Sequence, residues 1–379
     1  MKRLYFIDNL RWVMIMLVIS MHAAVTYSNH GSWYYNETTH LSRIEDLSFV
    51  TYQVFLQSFF MGLLFFVAGY FVPGAFDRKG TGQFLKDRAY RLGLPALLYI
   101  FVIHPVTNYY AARNWSPDDP NRSFFRSYGH YITSGRFPAG NGPLWFCIAL
   151  LFFCVVYTAW RVLAPARTTG DSPKSFPGSG AIAGFIALIA AATFFIRIPW
   201  PNGTNFYNMQ FCYFPQYIAF FIAGTLAYRH SWLTTLRTQT GKRWGRIGLF
   251  GGLAVWTTLI AVSLLTKPDT DAFGGGWHWQ SLGMSLLESL AGVGLSLGCL
   301  TLFREKFNHQ GRIAAFFSAS AFAVYVFHAP ILIVITRWMS GWTGEALLKF
   351  LVATLLAIGA TWLLSAFVFR RIPALKNIL

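Results

Sequence analysis

Arg11 and His22 stand eleven residues apart in the first apolar stretch of the chain, FIDNLRWVMIMLVISMHAAVTYS. Eleven residues make almost three helical turns, so on a helix both side chains point the same way, roughly 16 Å apart along the axis. An ionisable group inside an apolar helix is expensive, and its presence is a functional hypothesis in itself. A neutral imidazole takes a proton from a hydroxyl near neutral pH, so His22 reads as a general base. The competing reading is a histidine hydrogen-bonded between helices. Arg11 carries a planar fork of donors suited to phosphate or carboxylate, with Asp8 one turn earlier to orient it. Ordinary snorkelling at a helix start is the alternative.

Further along, His328 lies deep in SASAFAVYVFHAP with Tyr325 one turn before it, at the depth expected for His22. Glu288 is the lone carboxylate well inside an apolar stretch, and His104 precedes Pro105. A base, an orienting carboxylate and a second histidine at similar depth suit acyl transfer, with His328 or Tyr325 as oxyanion donors. Helix packing is the alternative for each. Arg88 and Arg91, three apart in RAYRLGLP, are expected to share one helix face and to clamp a polyphosphate, with a kink at Pro95 just beyond.

These groups need elements to hold them. Of 379 residues, 55% are hydrophobic and only 12% charged, against about 25% charged in soluble domains. So little charge cannot cover a soluble surface, and the chain reads as an all-α, polytopic membrane protein. Ten spans are expected, at 10–28, 52–74, 92–110, 143–161, 180–197, 209–229, 246–266, 282–303, 313–336 and 346–369, each near the length that crosses about 30 Å of hydrocarbon. They form one bundle and a single domain, 1–379. The N-terminus is signal-like in Lys2 and Arg3, but Asp8 and Arg11 interrupt it, and it reads as an uncleaved first helix.

The net charge of +17 does not indicate nucleic acid, because the basic residues fall in short clusters between spans rather than in one patch. With the N-terminus inside, the cytoplasmic segments hold 22 of the 31 Lys and Arg residues, which is the positive-inside pattern. An even span count returns the C-terminus to the same side. Cys147, Cys154, Cys212 and Cys299 all lie in apolar stretches without metal-site spacing, so no metal is expected. Two outer loops, 29–51 and 111–142, are rich in Trp, Tyr, Asn, Asp and His. They read either as a carbohydrate-facing surface or as an interfacial aromatic belt. RTTGDSPKSFPGSG reads as a cytoplasmic linker.

The arrangement resembles the acyltransferase 3 family of membrane O-acyltransferases, and the resemblance covers nearly the whole chain. Asp8, Leu10 and Arg11 followed by His22 match the family's first-span motif. RAYRLGLP resembles its second basic motif, GPLWF (Gly142 to Phe146) the opening of a middle helix, and AVYVFHAP its late Tyr…His-x-Pro segment. Many members carry a glutamate shortly after the middle tryptophan, whereas this chain reads LWFCIALLFF. That departure, with the opening YFIDNLRW…TYSNHGSWYYN, is similar to the glucan succinyltransferase branch.

The resemblance implies an acyl donor, acetyl-CoA or succinyl-CoA, bound from the cytoplasm by Arg11, Arg88, Arg91 and Trp145. It implies catalysis by His22 with Arg11, His328 and Glu288, in a bacterial inner membrane among its lipids, with both termini cytoplasmic. The acceptor is a glycan hydroxyl reached from the outer face. Two alternatives stay open: a non-glycan acceptor (antibiotic, lipid or peptide), and a transporter or flippase, although neither related halves nor paired broken helices are evident.

Overall fold

The computed structural model describes residues 3–37, 40–111, 123–164, 173–266 and 269–376. The NWSPDDPN part of the second long loop and the RTTGDS part of the linker lie outside the described residues. The architecture is all-α: α1 (Tyr5–Ser28), α2 (Arg43–Ala111), α3 (Phe124–Thr133), α4 (Phe137–Leu163), α5 (Ser179–Ile196), α6 (Phe211–Arg229), α7 (Thr238–Thr266), α8 (Trp279–Lys306), α9 (Arg312–Gly341) and α10 (Ala346–Arg371).

Among the described residues nine helices, all but α3, are long and apolar enough to cross a membrane. The chain is therefore a multi-pass membrane protein. The expectation of ten spans meets this count in α2. Its 69 residues would extend about 100 Å as one helix, too far for a single crossing. The helix breaks at Gly80, with φ 70° and ψ 174°, and the expected spans 52–74 and 92–110 lie on either side of the break.

The second half of α2 is not a plain α-helix. Ala89–Gly93 and Tyr99–Ile103 are π-helical, and each stretch stands just before a proline, Pro95 or Pro105. A proline supplies no N–H and its ring crowds the carbonyl four residues back. Widening the preceding turn accommodates both defects. Where a kink is expected at Pro95, the helix carries a π-helical stretch, and a second precedes Pro105.

Apolar burial ranks the helices. In α1 and α9, 67% of the most apolar window is buried within the protein, against 17% in α7. Those two form the centre with α2 and α8. Leu10, Met14, Ile19 and Ala23 of α1 join Val324, Val326 and Leu332 of α9 in the main core. Asn9 fastens the start of α1 by donating to the carbonyls of Phe307 (2.7 Å) and His309 (2.9 Å). At this same end Asp77 binds Arg229 at 2.6 Å and Arg161 at 3.5 Å, tying α2 to α6 and α4.

Helices α2 and α6 approach so closely that neither tolerates a side chain at the crossing. A Cβ on Gly69 would run into the Phe221 carbonyl, and one on Gly224 into that of Phe66. Small residues that let backbones touch are the usual means of packing helices where no hydrophobic effect drives them together. Gly224→Leu is expected to destabilise the fold by about 1–3 kcal/mol through overpacking. A thermal unfolding midpoint in detergent checks this, and an unchanged midpoint would show the crossing to be looser than described.

Candidate active site

Helix α1 carries His22 to the wall of a cavity of about 710 Å³, within the range of small-ligand sites. Its walls comprise the second half of α1, stretches near both ends of α2, the starts of α4, α6 and α8, Tyr325 of α9, and the loops around residues 30–34 and 202–210. The His22 ring stacks on Trp33 at 3.8 Å between centroids and 14° between planes. It also lies near-parallel to the His328 ring at 5.4 Å.

His328 is fully buried. Its Nδ1 lies 2.8 Å from the Tyr325 carbonyl, which only accepts, so Nδ1 holds the proton and Nε2 the lone pair. That Nε2 has no hydrogen-bond partner among the described residues. Tyr325 donates its hydroxyl to the Pro143 carbonyl, fastening α9 to the head of α4. With its proton so committed, Tyr325 serves as an anchor rather than an oxyanion donor. The GPLW segment acquires a physical explanation here. Gly142 adopts φ 47°, and a Cβ there would sit 2.7 Å from the Tyr34 hydroxyl oxygen. Only glycine suits that combination.

Trp33 and Tyr34 come from the loop after α1, so this loop contributes to the cavity wall. Tyr34 is hydrogen-bonded to His104 Nδ1 at 2.7 Å and to the Tyr99 hydroxyl at 3.2 Å. Burial pushes the Tyr34 hydroxyl well above the ordinary phenol range, so it stays protonated. The loop is held from behind. Lys349 of α10, buried, pairs with Glu37 and donates to the Trp342 carbonyl at 2.7 Å. The Glu37 amide donates to the Thr26 carbonyl at 2.8 Å, and Arg337 lies 5.0 Å over the Tyr35 ring.

Several expectations need correction. Glu288 lines the same cavity as His22, but its carboxylate is engaged by Arg197 Nη2 at 2.7 and 2.9 Å. Arg197 is itself 1% exposed. Glu288 thus shares the cavity with His22 while its charge balances a buried guanidinium. Arg88 and Arg91 do not form one stripe. The π-helical turn between them leaves Arg88 half-buried over the Phe84 ring at 5.1 Å, and Arg91 exposed. Trp145 stacks on Tyr217 at 5.7 Å and lines the cavity with His22, away from both arginines. Arg11 lies outside the cavity, 44% accessible at the far end of α1, with Asp8 at 3.9 Å. Asp8 is closer to Arg3, at 2.8 Å.

Arg197 and Lys349 were not singled out from the sequence. Their signal was available, because a carboxylate or cation placed in a span requires a counter-charge. The polar side chains of Gln53, Gln57, Asn205, Asn208 and Gln210 also line the cavity, and no motif announces them. Among the described residues no group of three His, Cys, Asp or Glu is placed to hold a metal ion.

A membrane bundle with one histidine at the wall of a polar, aromatic cavity and a second buried behind it defines a class: an integral membrane protein with a ligand-sized polar cavity among its helices. A family profile described as an acyltransferase domain matches residues 4–366, and the chain belongs to that acyltransferase family. Its relatives include proteins named Glucans biosynthesis protein C from Salmonella gallinarum and Salmonella heidelberg. Each is 25% identical over 385 residues that span 99% of this chain and 94% of the relative. No solved structure matches.

The Lys349–Glu37 pair generates a stability prediction. Lys349→Met leaves a buried carboxylate unpaired and is expected to lower stability by about 3–5 kcal/mol. Adding Glu37→Gln should recover much of the loss. Unfolding midpoints of the single and double variants in detergent measure both effects. A single variant that melts with the wild type would remove the pair as the anchor of the Trp33 loop.

Proposed function

We propose that the protein is a membrane O-acyltransferase that moves an acetyl or succinyl group from cytoplasmic acyl-CoA to a hydroxyl of an extracytoplasmic glycan. The observation that carries this reading is His22, backed by the buried His328 ring at 5.4 Å, at the wall of a cavity lined by side-chain amides and aromatic rings. Amides meet sugar hydroxyls in both senses, as donor and acceptor. Aromatic faces cover the apolar faces of sugar rings. The relatives' name, with its reference to glucans, supports the same acceptor class.

In the proposed reaction His22 takes the proton of the acceptor hydroxyl, and the oxygen attacks the acyl carbon. An ester C–O bond forms, the thioester C–S bond breaks, and the proton leaves with the thiol. Trp33 keeps the imidazole plane fixed by stacking. His328 presents an unprotonated Nε2 beside that ring and supports the positive charge that His22 gains. At the other end of the bundle Arg11 and Arg88 bring accessible or half-buried guanidiniums suited to phosphates. The donor thioester supplies the activated acyl group, and Trp145 lies on the His22 side to pack against the donor's reacting end. The clusters of Lys and Arg support cytoplasmic termini, and the reading sets the protein in a bacterial inner membrane.

Purified protein would be given acetyl-CoA or succinyl-CoA separately, with and without glucan oligosaccharide, and free thiol followed. Acceptor-dependent release is expected with one donor, and His22→Ala should lower it by about 10²-fold or more. Full activity in His22→Ala would remove the histidine from the chemistry. Neither release nor binding with either donor would overturn the acyl-CoA reading in favour of transport.

A further inference from the structure

A second, smaller pocket of about 130 Å³ adjoins the cavity. His104 and Asn108 line both spaces, so the two share a wall. The far walls of the small pocket are aromatic and come from the end of α2 and from α3. Phe124 meets Tyr109 edge-on at 5.5 Å and lies near-parallel to Tyr128 at 6.0 Å. Tyr131 packs beside His104 at 5.3 Å. Polar groups complete the lining, namely His104, Asn108 and Ser127. None of the residues of α3 is buried, so the pocket lies on an accessible flank of the molecule.

The hydroxyls of Tyr128 and Tyr131 are spent on holding α3 against α2. Tyr128 donates to the Phe101 carbonyl at 3.3 Å. Tyr131 lies 3.0 Å from the carbonyls of both Ile100 and Phe137. Burial pushes the Tyr131 hydroxyl up to about 12, so it remains a donor. Two of these carbonyls, those of Ile100 and Phe101, belong to the π-helical stretch Tyr99–Ile103 just before Pro105. The aromatic walls are thereby fixed in advance of any ligand, which lowers the entropy lost on binding. Asn108 and Ser127 make no side-chain hydrogen bond to the protein among the described residues.

We propose that this annex is a second saccharide subsite, holding the sugar unit next to the one acylated in the main cavity. The proposal rests on the glycan reading and deepens it: the acceptor is an oligosaccharide rather than a single sugar. An alkyl chain would fit the rings but would cover Asn108 and Ser127 without offering either a partner, which is unfavourable. A sugar unit satisfies both kinds of wall. His104, braced by Tyr34 from the main cavity, stands at the junction of the two units.

The test compares a glucan oligosaccharide with methyl glucoside as acceptors for the wild type, Phe124→Ala and Phe124→Tyr. The wild type should prefer the oligosaccharide in kcat/KM. That preference should shrink about tenfold in Phe124→Ala, equivalent to about 1.4 kcal/mol of lost contact, and survive in Phe124→Tyr. An equal preference in wild type and Phe124→Ala would overturn the subsite. Oligosaccharide binding is also titrated without donor, by intrinsic fluorescence. If neither sugar is acylated, the glycan reading fails by itself. Saturable binding that Phe124→Ala weakens would then still uphold the annex, and absence of saturable binding would overturn it.

Discussion

Charge and polarity are tolerated inside a hydrocarbon slab only when turned away from lipid and matched by a partner. That constraint organises this molecule. Arg197 finds Glu288, Lys349 finds Glu37, and His328 gives its single N–H to a carbonyl. The two ion pairs join segments far apart in the chain, the end of α5 to α8 and α10 to the loop after α1, while His328 is satisfied within α9. The same requirement puts α1 at the centre of the bundle. A helix bearing His22 in mid-span cannot face lipid, so other helices surround it and its polar side opens on an enclosed space. The cavity is a consequence of where polar groups are allowed to be.

Backbone irregularity follows the same logic. Prolines in α2 release carbonyls that a lipid-facing helix could not leave unpaired. Two of the oxygens near the second π-helical stretch accept from tyrosines of α3. Close crossings without side chains, as at Gly69 and Gly224, let α2 and α6 pack tightly enough to set Gln57 against Tyr217 at 3.1 Å. The site is therefore shaped by defects in regular helices as much as by the helices themselves.

The apolar spans were legible because hydrophobic length is read directly from composition, and His22 and His328 were legible because a titratable residue in a span is rare. What stayed hidden depended on three-dimensional pairing. Glu288 looked like a candidate orienting group, since nothing local shows that Arg197, ninety-one residues earlier, occupies its carboxylate. Arg88 and Arg91 looked like one stripe because an i, i+3 spacing implies a shared face only on an α-helix. The π-helical turn cancels that inference, although the proline that provokes it was in view. The loop after α1 read equally as a belt or a binding surface. Its role follows from Lys349, whose position in the last span carries no hint of a partner near residue 37.

The separation of Arg11 from His22 has a mechanistic consequence under the proposed reading. The two share a helix but not a space: one is accessible at the N-terminal end of α1, the other lines the cavity at the opposite end. A donor held by its phosphates near Arg11 can reach His22 only with an extended arm lying along α1. An acceptor arriving through the cavity needs no such reach. The helix thus acts as a ruler of roughly 16 Å, so that a long flexible donor and a bulky hydrophilic acceptor meet at one imidazole without either having to cross the membrane. A membrane acyltransferase has reason to put its base deep in a central helix, where the expense of burying it is offset by bringing reactants together from opposite sides.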